Sequence, residues 1–480
     1  MKTRTRIALA VLSGVLEPLG FAGFGLFPLT WIAKVPVLLA VRDLPPRDAF
    51  RYGMIYGLIA YFGGYHWLAH TFSTFGGLPA IIAWLGAIVI CAYLGLLFGL
   101  LIAMVRYLKV PPVWSLAFVN PALELIFPNI FPYNIGASQH RFAAITQIVE
   151  LTGMLGLTAL IGLVNGACFE LVASRLDHRK PVKARVLVPA LVFAITLAFG
   201  LVRLSQIDSQ KHPRLTVGLI QTNLDAAQKL RNMASLRADH QVMSHTLVAA
   251  HPEVELIIWP ETVIKAPPPE LPRPFILGAM LRDHQNHLFN AALSPESRYD
   301  KRSLLPFGEM IPFESTFPSL RGLFPFTGRY TAGSSLHHLQ AAGITFLPTL
   351  CYEDIQPARV REIWAQSGPA EALVNLSDDS WFGDTHEPRI HLALATFRAI
   401  ETRRALIRST NTGISALVDP AGRILAQTGQ HTRETLVGRF PIIRDGSTTL
   451  YMRFGDWFGW LCVLLTLSTF VSLRMRRFRC

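Results

Sequence analysis

The run ITFLPTLCYE at residues 344–353 decides the fold of the more polar half of the chain. Its first seven residues are mostly apolar and of strand length, and the thiol of Cys351 follows directly. A short apolar run of this kind is typical of a buried β-strand. In layered α/β domains the functional groups gather at the carboxyl ends of strands. The run therefore places Cys351 where chemistry is expected.

Similar runs flank it on both sides and alternate with segments of helical pattern. The predicted strands are 215–221, 256–259, 276–279, 344–350, 372–376, 405–409 and 415–419, and the predicted helices lie near 225–250, 357–367 and 390–404. This alternation predicts an α/β layered domain over residues 213–445.

The rest of the chain is too apolar for a soluble protein, since the whole sequence is 51% hydrophobic and only 16% charged. Runs near the length that crosses a bilayer lie at 7–22, 26–41, 52–72, 80–105, 112–128, 150–174, 186–204 and 455–473. We therefore predict an α-helical membrane bundle of about eight transmembrane helices. Seven fall in residues 1–212, and residues 446–480 supply the last helix and a basic tail.

The net charge of +13 lies outside the α/β domain, because residues 213–445 hold 23 basic and 23 acidic residues. This charge distribution excludes nucleic-acid binding as the main function of the chain. If eight helices are drawn, 17 of the other 22 basic residues fall on one side, and Lys34 lies inside the second span. Basic residues favour cytoplasmic ends. Both termini are thus expected in the cytoplasm and the α/β domain outside it.

Cys351 is the only one of the five cysteines in residues 213–445, so no disulfide can form within that domain. A lone thiol in an oxidising compartment is a liability unless it is buried or used. Both interpretations, a structural buried cysteine and a reactive one, remain open at this point.

Two more polar residues fit the strand-end rule. Glu261 follows the strand 256–259, and Lys301 precedes the turn 306–309. With Cys351 they form a complete set for acyl transfer: a thiol nucleophile, a carboxylate that takes its proton, and an ammonium that stabilises the oxyanion. Taken singly, each residue also has a structural interpretation. Glu261 fits a helix cap, Lys301 fits a solvated surface lysine, and Cys351 fits a buried core residue.

The short sequence motifs around these residues resemble those of a known family. Trp259-Pro260-Glu261, Tyr299-Asp300-Lys301 with 304–309 (LLPFGE), and Cys351-Tyr352-Glu353 resemble the three signatures of the carbon-nitrogen hydrolase (nitrilase) superfamily. The stretches 375–383 (NLSDDSWFG), 397–401 (FRAIE), 407–414 (IRSTNTGI) and 131–136 (FPYNIG) look like its membrane branch, the apolipoprotein N-acyltransferases. The resemblance implies a nitrilase-like αββα sandwich for residues 213–445.

It also implies a reaction. Cys351 would take an acyl chain from a membrane phospholipid as a thioester, and the N-terminal α-amine of a diacylglyceryl-cysteine apolipoprotein would then accept it. On the family pattern Glu261 is the general base and Lys301 the oxyanion stabiliser, while Glu309 orients Lys301 or assists proton transfer. Tyr352 and Glu353 match positions that serve the second step or the site geometry.

The resemblance further implies an inner-membrane protein with its catalytic domain on the periplasmic side, acting as a monomer without cofactor or metal. Acyl chains cost about 0.8 kcal/mol per CH₂ to expose to water, so apolar positions should contact lipid. The expected substrate-binding residues are Trp381, Phe382, Phe317 and Phe324. The last two belong to an apolar set in 310–330 that is either a lipid-facing arm or a core-packed loop, together with Phe313, Leu320, Leu323 and Phe326.

The sequence departs from the family pattern in three places, one of which is Lys229, which is followed by Leu230 where the family has an aromatic residue next to the lysine. Few residues separate Ala292 from Tyr299, and Asp378-Asp379 stands where the family has Asn-Asp, for which a capping or solvated aspartate is expected. Two rival functions remain: a membrane-anchored amidase or nitrilase for a small C–N substrate, and an idle lipoprotein-binding scaffold. Histidines such as His391 sit in no partner motif and are expected to be structural or exposed.

Overall fold

The computed structural model describes residues 1–207, 212–224, 232–265, 267–325 and 327–478. The chain forms two compact units. The first consists of Met1–Ala69, Ala80–Gln206 and Arg453–Cys480, and the second of His70–Pro79 and Ile207–Met452. The short segment His70–Pro79 therefore belongs with the α/β half, although it lies between two apolar runs of the sequence.

The apolar part of the chain is helical. Its helices are α1 (Thr3–Gly20), α2 (Val35–Val41), α3 (Pro46–Tyr65), α4 (Leu68–Thr74), α5 (Ala80–Tyr107), α6 (Pro112–Ile126), α7 (Ala143–Thr146), α8 (Val149–Thr152), α9 (Met154–Leu176), α10 (Ala184–Gln206) and a C-terminal helix, Trp457–Phe478. Among the described residues, four helices are long and apolar enough to cross a membrane: α5, α9, α10 and Trp457–Met475. The other predicted spans coincide with shorter or more polar helices, so the number eight stays a prediction.

The second predicted span, 26–41, is broken into a 3-10 helix, Phe27–Trp31, and α2. Lys34 lies at this break with its side chain fully buried. Its ammonium donates to the Glu17 carboxylate at 2.7 Å, and its backbone N–H donates to the Asn165 side chain at 2.8 Å. A buried charge is tolerated only when it is paired, so this ion pair explains a lysine inside an apolar run.

The α/β unit is built on twelve strands in the part of the chain that the structure describes. They are β1 (Arg214–Gln221), β2 (Leu256–Ile258), β3 (Phe275–Arg282), β4 (Leu288–Leu293), β5 (Arg298–Asp300), β6 (Leu339–Ala341), β7 (Ile344–Leu350), β8 (Ala372–Ser377), β9 (Leu406–Thr410), β10 (Ala416–Val418), β11 (Ile424–Gln427) and β12 (Glu434–Pro441). One sheet has the order β12-β1-β2-β3-β4-β5 and the other β11-β10-β9-β8-β7-β6. Strands β1, β2 and β3 run parallel, as do β7, β8 and β9.

The two sheets pack face to face, since buried side chains of both share one core, and successive side chains along each strand point to opposite faces of the sheet. Leu256 and Ile258 of β2 lie in a core shared with the second sheet. Ile257, between them, points to the opposite face and joins a second core with Leu236 and Leu247 of a covering helix.

The helices of this unit are α11 (Met233–Ala250), α12 (Leu320–Leu323), α13 (Pro357–Ser367), α14 (Glu387–Thr402) and α15 (Leu450–Phe454). Helix α11 covers the first sheet, and residues of α13 and α14 join the core of the second. The layers are helix, sheet, sheet, helix, which confirms the predicted αββα sandwich. The predicted helix 225–250 begins later, at Met233, where the Asn232 side chain accepts from the Ser235 N–H; residues 225–231 lie outside the described part.

Candidate active site

Cys351 sits at the sharp turn that the strand-end rule predicts. It follows β7 directly, opens the 3-10 turn Cys351–Ile355 and is 5% exposed. Its φ of +47° lies in the left-handed region, which costs a non-glycine residue about 1–2 kcal/mol. Such strain persists only where the surrounding structure imposes it, and it concentrates at functional sites.

The structure brings Lys301 and Glu261 together, as predicted. Lys301 follows β5 and is buried, and its ammonium lies 3.3 Å from the Glu261 carboxylate and 2.9 Å from that of Glu309. Glu309 also accepts from the Leu305 backbone N–H at 2.8 Å. One buried ammonium is therefore held between two buried carboxylates.

The shortened segment before Tyr299 is a tight hairpin between β4 and β5. The backbone N–H of Ser294 donates to the Ser297 carbonyl at 2.9 Å, and Tyr299 pairs with Ala292 in the antiparallel ladder. The departure from the family pattern thus leaves Lys301 in contact with Glu261.

Electrostatics couple the thiol to these charges. Burial, with the Glu261 carboxylate, raises the pKa of Cys351 well above its ordinary value, and the Lys301 ammonium opposes this. Burial lowers the pKa of Lys301, but the Glu261 and Glu309 carboxylates outweigh it and raise that pKa overall. At neutral pH the site thus holds a neutral thiol beside a cationic lysine. Such a thiol needs a base to become a nucleophile.

Glu353 joins the two chain segments that carry the site. Its carboxylate accepts from the Tyr299 hydroxyl at 3.0 Å and from the backbone N–H groups of Arg302, Ser303 and Leu350 at 2.8–2.9 Å. Glu353 therefore ties the Lys301 segment to the turn at Cys351. These contacts favour a role for Glu353 in the geometry of the site over a direct role in the second step of the reaction. Tyr352 is half-buried beside the thiol.

One residue of this centre was not anticipated. Asn290, on β4, donates from its side-chain amide to Glu261 at 2.6 Å and to Glu309 at 3.0 Å. It fixes the two carboxylates relative to each other. Asn290 lies in none of the family motifs, and a single asparagine in a strand gives no sequence signal.

Behind Cys351 lies a ring of four buried charged residues, Asp354, His391, Asp379 and Arg408. His391 lies 2.7 Å from Asp354 and 3.2 Å from Asp379, and Arg408 contacts the same two aspartates at 2.5 and 3.0 Å. The expectation for Asp378-Asp379 thus holds only in part: Asp378 caps the Ser380 N–H, whereas Asp379 is buried and paired, not solvated. His391 is structural, as expected, but it carries charge.

The charge on His391 predicts a pH-dependent stability. Burial and the Arg408 guanidinium lower its pKa, but Asp354 and Asp379 raise it more, from 6.5 to about 10. A raised histidine pKa gives stability that is full below pH 6.5 and is lost as the pH approaches 10. We expect the protein to be more stable than a His391→Gln variant by on the order of a few kcal/mol at neutral pH.

The measurement is the melting temperature of both full-length proteins in detergent between pH 8 and pH 10. Burial raises the pKa of the neighbouring Glu387 to about 8, so its titration falls in the lower part of this range, and both proteins carry Glu387→Gln to remove it. The difference in melting temperature should shrink as the pH rises. A constant difference would contradict a cationic His391.

The predicted substrate-binding aromatics fall into two groups. Phe317 and Phe324 are exposed, together with Phe313 and Leu323, which argues against the core-packed loop; Phe326 lies outside the described residues. Phe382, in contrast, is buried with its ring edge-on to His391. Trp381 is half-buried and its ring lies 4.1 Å from that of Phe75, in the segment His70–Pro79.

A buried Glu–Lys–Cys set at the strand ends of an αββα sandwich defines a domain of the carbon-nitrogen hydrolase class, and the family model "Carbon-nitrogen hydrolase" matches residues 270–442. A second model, "Apolipoprotein N-acyltransferase N-terminal domain", matches residues 13–167. The chain belongs to the apolipoprotein N-acyltransferase family, which confirms the resemblance inferred from the motifs.

Relatives carry the match along nearly the whole chain. The apolipoprotein N-acyltransferase of Geobacter metallireducens is 32% identical over 95% of this chain and 92% of its own. That of Bdellovibrio bacteriovorus is 27% identical over 96% and 93%. Among solved structures, Nit3 of Saccharomyces cerevisiae, a member of branch 10 of the nitrilase superfamily, aligns with 48% of this chain and 90% of its own at 15% identity and a TM-score of 0.37.

Proposed function

We propose that this protein transfers an acyl chain from a membrane phospholipid, through a thioester on Cys351, to the N-terminal α-amine of the diacylglyceryl-cysteine of apolipoproteins. The observation that carries the proposal is the buried thiol of Cys351 at a strained strand end, electrostatically coupled to Glu261 and Lys301. Membership of the family supports an apolipoprotein as the acyl acceptor, and the phospholipid donor is part of the proposal.

In the first half-reaction the Glu261 carboxylate takes the thiol proton and the sulfur attacks the ester carbonyl of the phospholipid. The Lys301 ammonium and the backbone N–H of Tyr352 stabilise the resulting oxyanion. Collapse of the tetrahedral intermediate breaks the ester C–O bond, and protonated Glu261 returns the proton to the departing lysophospholipid alkoxide. The products are lysophospholipid and the acyl thioester.

In the second half-reaction the α-amine of the apolipoprotein attacks the thioester carbonyl. Glu261 takes a proton from the attacking amine, and the same oxyanion contacts stabilise the second tetrahedral intermediate. Breaking the C–S bond releases the amide product, and the sulfur regains its proton from Glu261. Glu309 keeps Lys301 in place throughout, since its carboxylate lies 2.9 Å from the ammonium.

The exposed side chains of Phe313, Phe317, Leu323 and Phe324 support an acyl-chain contact surface on this unit. Each CH₂ removed from water gains about 0.8 kcal/mol, so a few aromatic side chains are enough to favour a lipid chain over water. Trp381, which is half-buried, is a further proposed contact, whereas Phe382 is buried against His391. We place the protein in the bacterial inner membrane as a monomer with eight helices, both termini cytoplasmic and this unit periplasmic.

The test uses the full chain in detergent, a phospholipid with deuterated acyl chains, and a synthetic peptide that begins with diacylglyceryl-cysteine. Mass spectrometry should find the peptide heavier by one deuterated acyl group in amide linkage, with one lysophospholipid formed per transfer. Release of free deuterated fatty acid without peptide acylation would replace the proposal by a hydrolase. Peptide binding without any turnover would replace it by the idle scaffold.

A further inference from the structure

The peptide group that joins Cys351 to Tyr352 is held by a side chain on the neighbouring strand. Asn375, fully buried on β8, donates from its amide nitrogen to the carbonyl oxygen of Cys351 at 3.3 Å. Strands β7 and β8 run parallel with Thr349 opposite Asn375, so the asparagine lies beside the end of the strand that carries the thiol.

This contact also fixes the N–H of Tyr352. The carbonyl of Cys351 and the N–H of Tyr352 belong to one planar trans peptide group, and the described residues contain no cis peptide bond. In a trans peptide the two groups point in opposite directions. A hydrogen bond that holds the carbonyl towards Asn375 therefore points the N–H of Tyr352 in the opposite direction within the same plane, away from Asn375.

Asn375 can serve in this way only if its amide nitrogen, rather than its oxygen, faces Cys351. Arg408 on β9 settles this orientation, since its guanidinium donates to the amide oxygen of Asn375 at 2.8 Å and has no acceptor to offer. Arg408 is held in turn by Asp354 and Asp379, and His391 joins those two carboxylates. The buried ring thus fixes the donor that Asn375 presents.

We propose that Asn375, oriented by Arg408, is a positioning residue that aims the backbone N–H of Tyr352 at the oxyanion formed during acyl transfer. The proposal rests on the proposed function, because an oxyanion arises only if Cys351 attacks a carbonyl. It gives the buried charged residues Asp354, His391, Asp379 and Arg408 a role in orienting Asn375. Loss of one oxyanion donor lowers the rate by about 10²–10³-fold, and this is the effect expected when Asn375 no longer holds the peptide.

The experiment compares two reactions of the same thiol in the full-length protein. Thioester formation from phospholipid creates an oxyanion, whereas alkylation by iodoacetamide displaces iodide and creates none. The variant is Asn375→Ala, which removes the donor to the carbonyl of Cys351 and adds no charge near the thiol. We expect thioester formation to fall by about 100-fold while the alkylation rate stays at the wild-type value.

Thr349→Val is the matched control. Asn375 also donates to the Thr349 hydroxyl at 3.1 Å, so this change removes a partner of Asn375 and leaves its contact with Cys351. Both rates should remain those of the wild type. Asn375→Leu keeps the approximate side-chain size, adds no charge and serves if the alanine variant does not fold; it should show the same split between the two reactions.

Two results would overturn the inference. One is an unchanged rate of thioester formation in the variants that replace Asn375. The other is an equal fall in the rates of thioester formation and alkylation, which would indicate a displaced thiol. Failure of the proposed function looks different. In that case wild-type protein itself forms no thioester, although iodoacetamide still alkylates Cys351.

Discussion

Cys351→Ala will abolish acyl transfer, and no acyl group will be found on the variant after incubation with phospholipid. The thiol is the nucleophile of the proposed reaction and alanine offers no substitute. Removal of an enzyme's nucleophile lowers kcat by up to about 10⁶-fold. Wild-type protein should carry one acyl group that hydroxylamine removes, as expected for a thioester.

Intact-mass spectrometry of the detergent-purified protein measures this directly. Cys168→Ala is the control, because Cys168 is a partly exposed thiol of the helical unit and its loss should leave both the adduct and the transfer intact. Cys351→Ser tests the chemistry further. A hydroxyl is far harder to deprotonate than a thiol, so the serine variant should remain inactive. An adduct that persists in Cys351→Ala would rule out this thiol as the acyl carrier.

The sequence placed Glu261 and Cys351 at the ends of predicted strands, and the motif Tyr299-Asp300-Lys301 added the lysine. Strand periodicity placed Cys351 directly after 344–350, and the structure gives β7 the same bounds. Helix α13 also has the predicted bounds, 357–367. A short apolar run suffices for β7, which is buried along almost its whole length, and helical periodicity suffices for α13, which buries one apolar face.

The remaining parts of the fold depend on partners that are distant in sequence. Strand β12 pairs with β1 along its whole length, yet six of its eight residues are half-buried or exposed, so it lacks the apolar run of a central strand. Strands β5 and β6 have three residues each. Their short length leaves no period to recognise.

The charged ring was beyond sequence analysis for the same reason. Asp354, His391 and Arg408 lie on a turn, a helix and a strand, and only the fold brings them together. Residue type was misleading as well, since charged residues are seldom fully buried unless they are paired. The family motifs at 375–383 and 407–414 include Asp379 and Arg408, but nothing in them indicates that these two residues contact each other.

Lys301→Met should lower the rate of thioester formation by at least about 10³-fold, because the ammonium supplies the charge that stabilises the oxyanion. The same change should destabilise the fold. It leaves the carboxylates of Glu261 and Glu309 buried close together, both accepting from the Asn290 amide, without the cation that balanced their charge. Removing one member of a buried ionic group typically costs about 3–5 kcal/mol.

The double variant Lys301→Met/Glu309→Gln separates these two effects. Replacing one carboxylate by an amide removes the repulsion, so stability should recover towards the wild-type value. Activity should not recover, because the oxyanion still lacks its cation. Thermal melting and the rate of thioester formation, measured on wild type, single and double variants, give both quantities. If the double variant regains activity together with stability, then Lys301 acts only by holding the site together, and the oxyanion must be stabilised by other groups.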